Sequence, residues 1–173
     1  MSKPLSKKEI QKRARAIKLV LTDNDGVLTD TGVYYSDKGE AFKRFSIRDG
    51  MGVERLRDEG IETAIITGET SKSVQKRSEK LKMPYLYLGV KNKRAKLDEI
   101  LRETGLLTAQ LGYIGDDVND LEIIAEISKA GLTACPNDAM PIVQKAVHYK
   151  ANANGGNGAF RDFAEWILAH RLA

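Results

Sequence analysis

An apolar run from Ile17 to Leu21 stops abruptly at Thr22-Asp23-Asn24-Asp25-Gly26, and a second, Leu111 to Ile114, stops at Gly115-Asp116-Asp117-Val118-Asn119-Asp120. In the first cluster the Asp-x-Asp spacing across a turn lets one carboxylate attack while the other moves a proton, and both can serve a hard cation. Taken alone, Asp-Asn-Asp-Gly reads equally well as a plain turn. The second cluster shifts that balance. If both runs are central strands, Asp23, Asp25, Asp116, Asp117 and Asp120 gather at one sheet edge, and so many like charges need a counter-ion. Magnesium suits a few carboxylates, a backbone carbonyl, waters and a substrate oxygen. Zinc is a poor fit, because the two histidines fall late in the chain and Cys135 is the single thiol. Thr67 and Lys93 add the means to hold an anion. Thr67 ends an apolar run before a helix, where its hydroxyl and the next backbone N–H groups can bind an anionic oxygen, and Lys93 can supply a fixed positive charge. Read singly, Thr67 is more often a helix cap and Lys93 a solvated lysine; the order and spacing of the motifs turn both toward a phosphate site.

These residues require strands that end side by side. Ser6-Lys7-Lys8-Glu9 matches a capping box, and Ile10, Ala14 and Ile17 follow at helical spacing. Ile17 to Leu21 reads as a strand buried on both faces. Gly32 to Phe45 alternates as a β-hairpin, and its Tyr34, Tyr35 and Phe42 suggest a subunit contact. Val53, Leu56 and Ile61 mark a helix closing at Gly60. The pattern then predicts strands over Glu62 to Thr67, Tyr85 to Val90, Leu111 to Ile114, Leu132 to Cys135 and Ala146 to Tyr149. Helices are predicted over Ser71 to Lys82, Lys93 to Glu103 and Leu121 to Ile127, and a last one places Phe160, Phe163, Trp166 and Ile167 on one face. Strands alternating with helices at this pitch imply an α/β fold, a doubly wound, Rossmann-like parallel sheet, with ligands beyond the carboxyl ends of the strands. Asp23, Thr67, Lys93 and Asp116 all fall there.

With 173 residues, 42% of them hydrophobic and 30% charged, the chain suits a single domain spanning 1–173. The net charge is +4, concentrated in Lys3, Lys7, Lys8, Lys12, Arg13, Arg15 and Lys18, which reads as a solvated helix face. A positive field would also draw a phosphorylated substrate. Only 6% of residues are aromatic and none interleave with basic runs, which argues against nucleic acid. Lone Cys135 excludes an intrachain disulfide and reads as a small buried residue. No apolar run approaches a membrane span and no signal peptide is visible, so the expected location is cytoplasmic, with no membrane partner.

The order of motifs resembles the haloacid-dehalogenase superfamily of phosphatases: Asp-x-Asp-Gly-Val-Leu-Thr-Asp, then Thr-Gly, then a lysine, then Gly-Asp-Asp-x-x-Asp. Asp23 to Asp30, Phe45-Ser46-Ile47-Arg48-Asp49-Gly50, Thr67-Gly68, Gly115-Asp116-Asp117 and Gly155-Gly156-Asn157-Gly158-Ala159-Phe160-Arg161 resemble the 3-deoxy-D-manno-octulosonate 8-phosphate phosphatases. The resemblance covers nearly all of the chain after Ala16. It implies that Asp23 is the nucleophile forming an aspartyl-phosphate and Asp25 the general acid and base. It further implies that Asp23, the Asp25 carbonyl and Asp116 hold Mg2+ with Asp117 and Asp120 in support, and that Thr67 and Lys93 bind the phosphoryl group.

Many superfamily members carry a cap domain, but the segments before Thr67 and before Asp116 are too short for one. Similar proteins are homotetramers whose neighbours complete each site. On that pattern Gly155 to Arg161, with Gly156 and Arg161 as substrate contacts, would reach a neighbouring site. Arg48 and Gly50 fit the octulosonate enzymes, and Arg48 and Gly68 are further expected substrate contacts. Glu69 together with Lys80 instead resembles phosphatases of nine-carbon ketoacid 9-phosphates, the 2-keto-3-deoxynononate or sialic-acid type, and Asn157 stands where a charged residue is common. The expected substrate is therefore a 2-keto-3-deoxy sugar acid phosphate of either length. The rival readings are a phosphate-accepting receiver domain, a phosphatase of macromolecules and a catalytically silent oligomerisation module. Asp-x-Asp after the first strand argues against the first, and the intact acidic set against the last.

Overall fold

The computed structural model describes residues 4–173 and is built around β1, Leu19–Thr22, whose residues are all buried. Apolar residues on both faces of a strand require cover on both sides, and β1 lies in parallel register between β4 (Glu62–Ile66) and β6 (Leu111–Ile114). Beyond them lie β5 (Tyr85–Tyr87) on one side and β7 (Leu132–Cys135) and β8 (Tyr149–Lys150) on the other, giving the order β5-β4-β1-β6-β7-β8, parallel throughout. Successive side chains of a strand point to opposite faces. Val20 accordingly packs in one core with Val53, Leu56, Phe160, Phe163 and Ile167, while Leu19 and Leu21 pack in the other with Leu97, Ile100, Ile123 and Ile127. The first face is covered by α1 (Lys7–Ala16), α2 (Ile47–Asp58) and α7 (Ala159–Arg171), the second by α4 (Lys93–Thr104) and α5 (Leu121–Ser128). Each fully buried aliphatic side chain contributes about 1.5–3 kcal/mol.

Between β1 and α2 stands a separate antiparallel hairpin, β2 (Tyr34–Ser36) and β3 (Gly39–Phe42), bulged between Tyr34 and Tyr35. Its Tyr34, Tyr35 and Phe42 are exposed, as is Ile47 at the start of α2. The insertion is no larger than this, so among the described residues no cap domain covers the sheet edge. Helix α3 (Lys72–Lys80) follows β4.

Several local expectations are corrected. β5 ends at Tyr87 rather than Val90, because Gly89 takes φ +68 and the Val90 N–H turns back to the Thr67 carbonyl at 2.9 Å. The last strand begins at Tyr149 rather than Ala146, because a short helix, α6 (Pro141–Gln144), precedes it and holds the Ala146 N–H on Val143. Ser6 caps α1 by accepting from the Glu9 N–H, but Glu9 pairs with Arg13 instead of returning to the cap. Arg13 is also not simply solvated. Its guanidinium donates to the carbonyls of Ser128 and Gly131, both at 2.9 Å, where the end of α5 leaves acceptors unmet. Lys3, counted with the basic opening segment, lies outside the described residues.

Candidate active site

Asp23 directly follows β1 as the chain leaves the sheet, where its N–H donates to the Ile114 carbonyl at 3.0 Å and ties the two acidic loops together. Its carboxylate accepts from the Asn24 N–H at 2.7 Å and from Lys93 Nζ at 2.7 Å. Lys93 opens α4, is 2% exposed, and donates equally closely to Asp120 at 2.6 Å. Asp120 is fully buried and serves as the hub of the second loop: Tyr113 donates its hydroxyl at 2.5 Å, and the N–H groups of Asp116 and Asp117 approach at 2.9 and 3.4 Å. These bonds fold the loop so that carboxylate oxygens of Asp23, Asp116 and Asp120 lie within 4.8 Å of one another.

Burial and mutual repulsion make this trio uncomfortable without a cation. Asp23 is pushed up to about 7, first by burial and then by Asp120, against the opposing pull of Lys93. Asp116 is pushed up to about 8 by burial, Asp23, Asp120 and Asp117. Lys93 stays firmly protonated, because Asp23 and Asp120 outweigh the cost of burying it. The donor set is all oxygen, which selects a hard divalent ion. Gly26 fits the same purpose: it sits at φ +86, and a side chain there would strike the Asp116 carboxylate. Replacing Lys93 with Met strands two buried carboxylates. The expected result is a loss of about 3–5 kcal/mol in urea unfolding at pH 7, and a variant as stable as the parent would contradict this reading of Lys93.

A cleft of about 240 Å³ opens over the trio, with Asp25, Thr31, Thr67, Gly68, Glu69, Asp117 and Asn119 on its walls. Thr67 is 2% exposed at the end of β4, and its hydroxyl accepts from the Glu69 N–H at 3.3 Å. Asp117 is exposed, turned to cap the short 3-10 turn at Val118–Asp120. Thus Asp23, Asp25, Thr67, Gly68, Glu69, Asp116 and Asp117 share one cleft, with Lys93 and Asp120 directly beneath.

The other expected contacts lie elsewhere on this chain. Glu69 faces Lys91 at 3.5 Å, whereas Lys80 lines a separate groove with Ile47, Met51 and Glu54, so the two are not paired within one chain. Arg48 is exposed on the first turn of α2, beside Gly158 and off the cleft wall. The segment 155–161, expected to cross to a neighbour, is fastened to its own chain. The Gly156 N–H donates to Val27 at 2.8 Å, Gly155 N–H to Asp138 at 2.9 Å, and the N–H groups of Gly158 and Arg161 both donate to buried Asp49 at 3.1 Å. Gly155 and Gly156 lie so close to the Gly26 and Thr29 backbone that neither could carry a side chain. Arg161 spends its side chain on Glu165 at 2.8 Å.

Lys43 carries no signal of a role in the sequence. Flanked by Phe42, Arg44 and Phe45 it looks like an exposed hairpin residue, yet its side chain is 2% exposed and reaches Asp25 at 2.5 Å.

A scan against protein-family models finds no match. The chain is 36% identical over 159 residues to the 3-deoxy-D-manno-octulosonate 8-phosphate phosphatase KdsC of Haemophilus influenzae, across 92% of this chain and 87% of that one. The chain belongs to the KdsC phosphatase family. Solved structures of KdsC proteins share its fold. The Moraxella catarrhalis phosphatase, described in complex with magnesium, phosphate and KDO, superposes with a TM-score of 0.89 at 33% identity, over 95% of this chain and 93% of its own. The cobalt-bound Haemophilus influenzae phosphatase gives 0.86 at 35% identity, over 92% and 91%. A solved neighbour from Legionella pneumophila, with a TM-score of 0.88 at 33% identity, is described as a putative haloacid-dehalogenase superfamily hydrolase.

Proposed function

We propose that this chain is a magnesium-dependent phosphatase that releases phosphate from a 2-keto-3-deoxy sugar acid phosphate, with 3-deoxy-D-manno-octulosonate 8-phosphate as substrate. The observation that carries it is the trio Asp23, Asp116 and Asp120 gathered around Lys93 at the carboxyl edge of the sheet. The KdsC relatives supply the substrate class.

Asp23, the Asp25 carbonyl and Asp116 would hold the ion, with Asp117 and Asp120 in support. Bound there, it supplies charge neutralisation for the phosphoryl oxygens and for the crowded carboxylates. The Asp23 carboxylate attacks phosphorus, the ester P–O bond breaks, and Asp25 gives its proton to the departing sugar oxygen. Asp25, now a carboxylate, takes a proton from water. That water attacks the aspartyl-phosphate at phosphorus, freeing Asp23 and inorganic phosphate. Lys93 and the Thr67 hydroxyl, with the Gly68 and Glu69 N–H groups, hold the phosphoryl oxygens throughout.

The open cleft needs cover to exclude water, and the exposed Tyr34, Tyr35 and Phe42 support a homotetramer joined through the hairpins. Arg48, Lys80 and Arg161, which do not line the cleft of their own chain, would serve the substrate across such contacts. Among the described residues no helix is long and apolar enough to cross a membrane, in keeping with a cytoplasmic enzyme.

The deciding experiment is a phosphate-release panel with magnesium. It compares the eight-carbon 8-phosphate, a nine-carbon ketoacid 9-phosphate and simple hexose phosphates, with protein mass measured in the same buffer. A kcat/KM at least about tenfold higher on the eight-carbon ester, a difference of about 1.4 kcal/mol, is expected from a tetramer. Preference for the nine-carbon ester would instead implicate Glu69 and Lys80, and equal rates on hexose phosphates would overturn the sugar-acid assignment.

A further inference from the structure

We propose that Lys43 is a positioning residue for the acid step: its ammonium pins Oδ1 of Asp25 and thereby makes Oδ2 the oxygen that carries the transferred proton. The inference rests on the reading of Asp25 as general acid and goes beyond it by assigning the atom and the residue that selects it.

A lysine buried to this degree is rarely without a purpose, since desolvating an ammonium is costly unless carboxylates meet it. Lys43 Nζ lies 2.5 Å from Asp25 Oδ1 and 3.4 Å from Glu40 Oε2. The same Asp25 Oδ1 also accepts from the Asn24 side-chain amide at 3.0 Å and from the Thr29 hydroxyl at 3.2 Å. Three donors crowd one oxygen, while among the described residues none donates to Oδ2. An oxygen already saturated by donors, one of them an ammonium, is the wrong place for a proton. Oδ2 is left to bear it, on a residue that lines the cleft. A carboxyl group otherwise has two equivalent oxygens and a free rotation about its last bond. Fixing one of them removes that freedom before the substrate arrives, which is how a positioned acid differs from a nearby one.

The anchoring reaches further. Glu40 holds Lys43 with one oxygen and accepts from the Ser71 hydroxyl at 2.5 Å with the other. Ser71 in turn caps α3, accepting from the Val74 N–H at 3.4 Å, only a few residues beyond Thr67. The hairpin therefore sits between the proton donor and the loop that receives the phosphoryl group, and Lys43 is the side chain through which it bears on Asp25.

The test uses the full-length protein with magnesium and two esters, the eight-carbon sugar acid phosphate and 4-nitrophenyl phosphate. The sugar alkoxide needs a proton to leave; the nitrophenolate does not. Reading kcat/KM confines the comparison to the step in which the leaving group departs, so later hydrolysis of the aspartyl-phosphate does not mask it. Lys43→Met should lower kcat/KM on the sugar ester by about 10²-fold or more and on the aryl ester by less than about tenfold. Lys43→Arg, which restores the cation, should recover most of the loss. Should Lys43→Met fail to fold by circular dichroism, Glu40→Gln takes its place, with the same selectivity and a smaller effect. Equal losses on both esters, or none, overturn the role of Lys43 while leaving the phosphatase reading intact. A parent enzyme inert toward both esters overturns the two together.

Discussion

Replacing Asp23 with Asn is expected to remove turnover on the order of 10⁴-fold or more while leaving the protein folded. The side chain is 5% exposed, and an asparagine amide in the same place keeps an oxygen for the Asn24 N–H but loses the electron pair that attacks phosphorus. Stability should not follow activity. Asp23 is one of three crowded carboxylates, and Lys93 retains Asp120 at 2.6 Å after the change. The cation-free variant is therefore expected to melt at or above the parent's temperature at pH 8, because one buried like charge is gone. The check is steady-state phosphate release beside thermal unfolding of the same sample, with fluoroberyllate trapping of the parent alone. Substantial turnover by Asp23→Asn would reduce Asp23 to a ligand and make the reaction a direct attack by water.

Removing magnesium is expected to abolish activity and to lower the melting temperature, by an amount that grows with pH. Asp23 and Asp116 sit at about 7 and about 8 in the folded chain, against 3.8 for an ordinary aspartate. Between those values the folded state binds more protons than the unfolded one, so cation-free stability is full below about pH 4 and is lost as pH rises through 7 to 8. A divalent ion takes the place of those protons. Its stabilisation should accordingly be small at pH 6 and large at pH 8. At a magnesium concentration about a hundred times Kd the gain is roughly 2.7 kcal/mol, or about 5–10 °C for a chain of this size. Thermal unfolding with EDTA and with magnesium at pH 6 and pH 8 measures it. A shift that is absent, or larger at pH 6, would mean that the trio does not bind the ion.

Both results concern residues that were visible in the sequence, and the reason is local. Asp23 to Asp25 and Asp116 to Asp120 each break an apolar run, and a buried parallel strand announces itself by such a run whatever surrounds it. The order of strands and helices, the hairpin between β1 and α2, and the placing of Thr67 and Lys93 at strand and helix ends follow from the same short-range patterns. Folding alone could decide which partner each polar side chain takes. Asp120 reads as one more acidic residue, yet its burial under Tyr113 and Lys93 makes it the centre of the second loop. Asp49 reads as part of a helix start, yet it holds the N–H groups of Gly158 and Arg161. Gly155 and Gly156 suggest a reach toward another subunit, but their missing side chains let them press against the backbone of their own Gly26 loop. Lys43 and Asp25 meet only in the folded chain, where Phe45 bridges back to Thr29. Runs of apolar residues state which elements form, since burial acts on each element separately. Pairings between charged groups far apart in the chain depend on the directions in which side chains emerge after packing, and those exist only in the folded molecule.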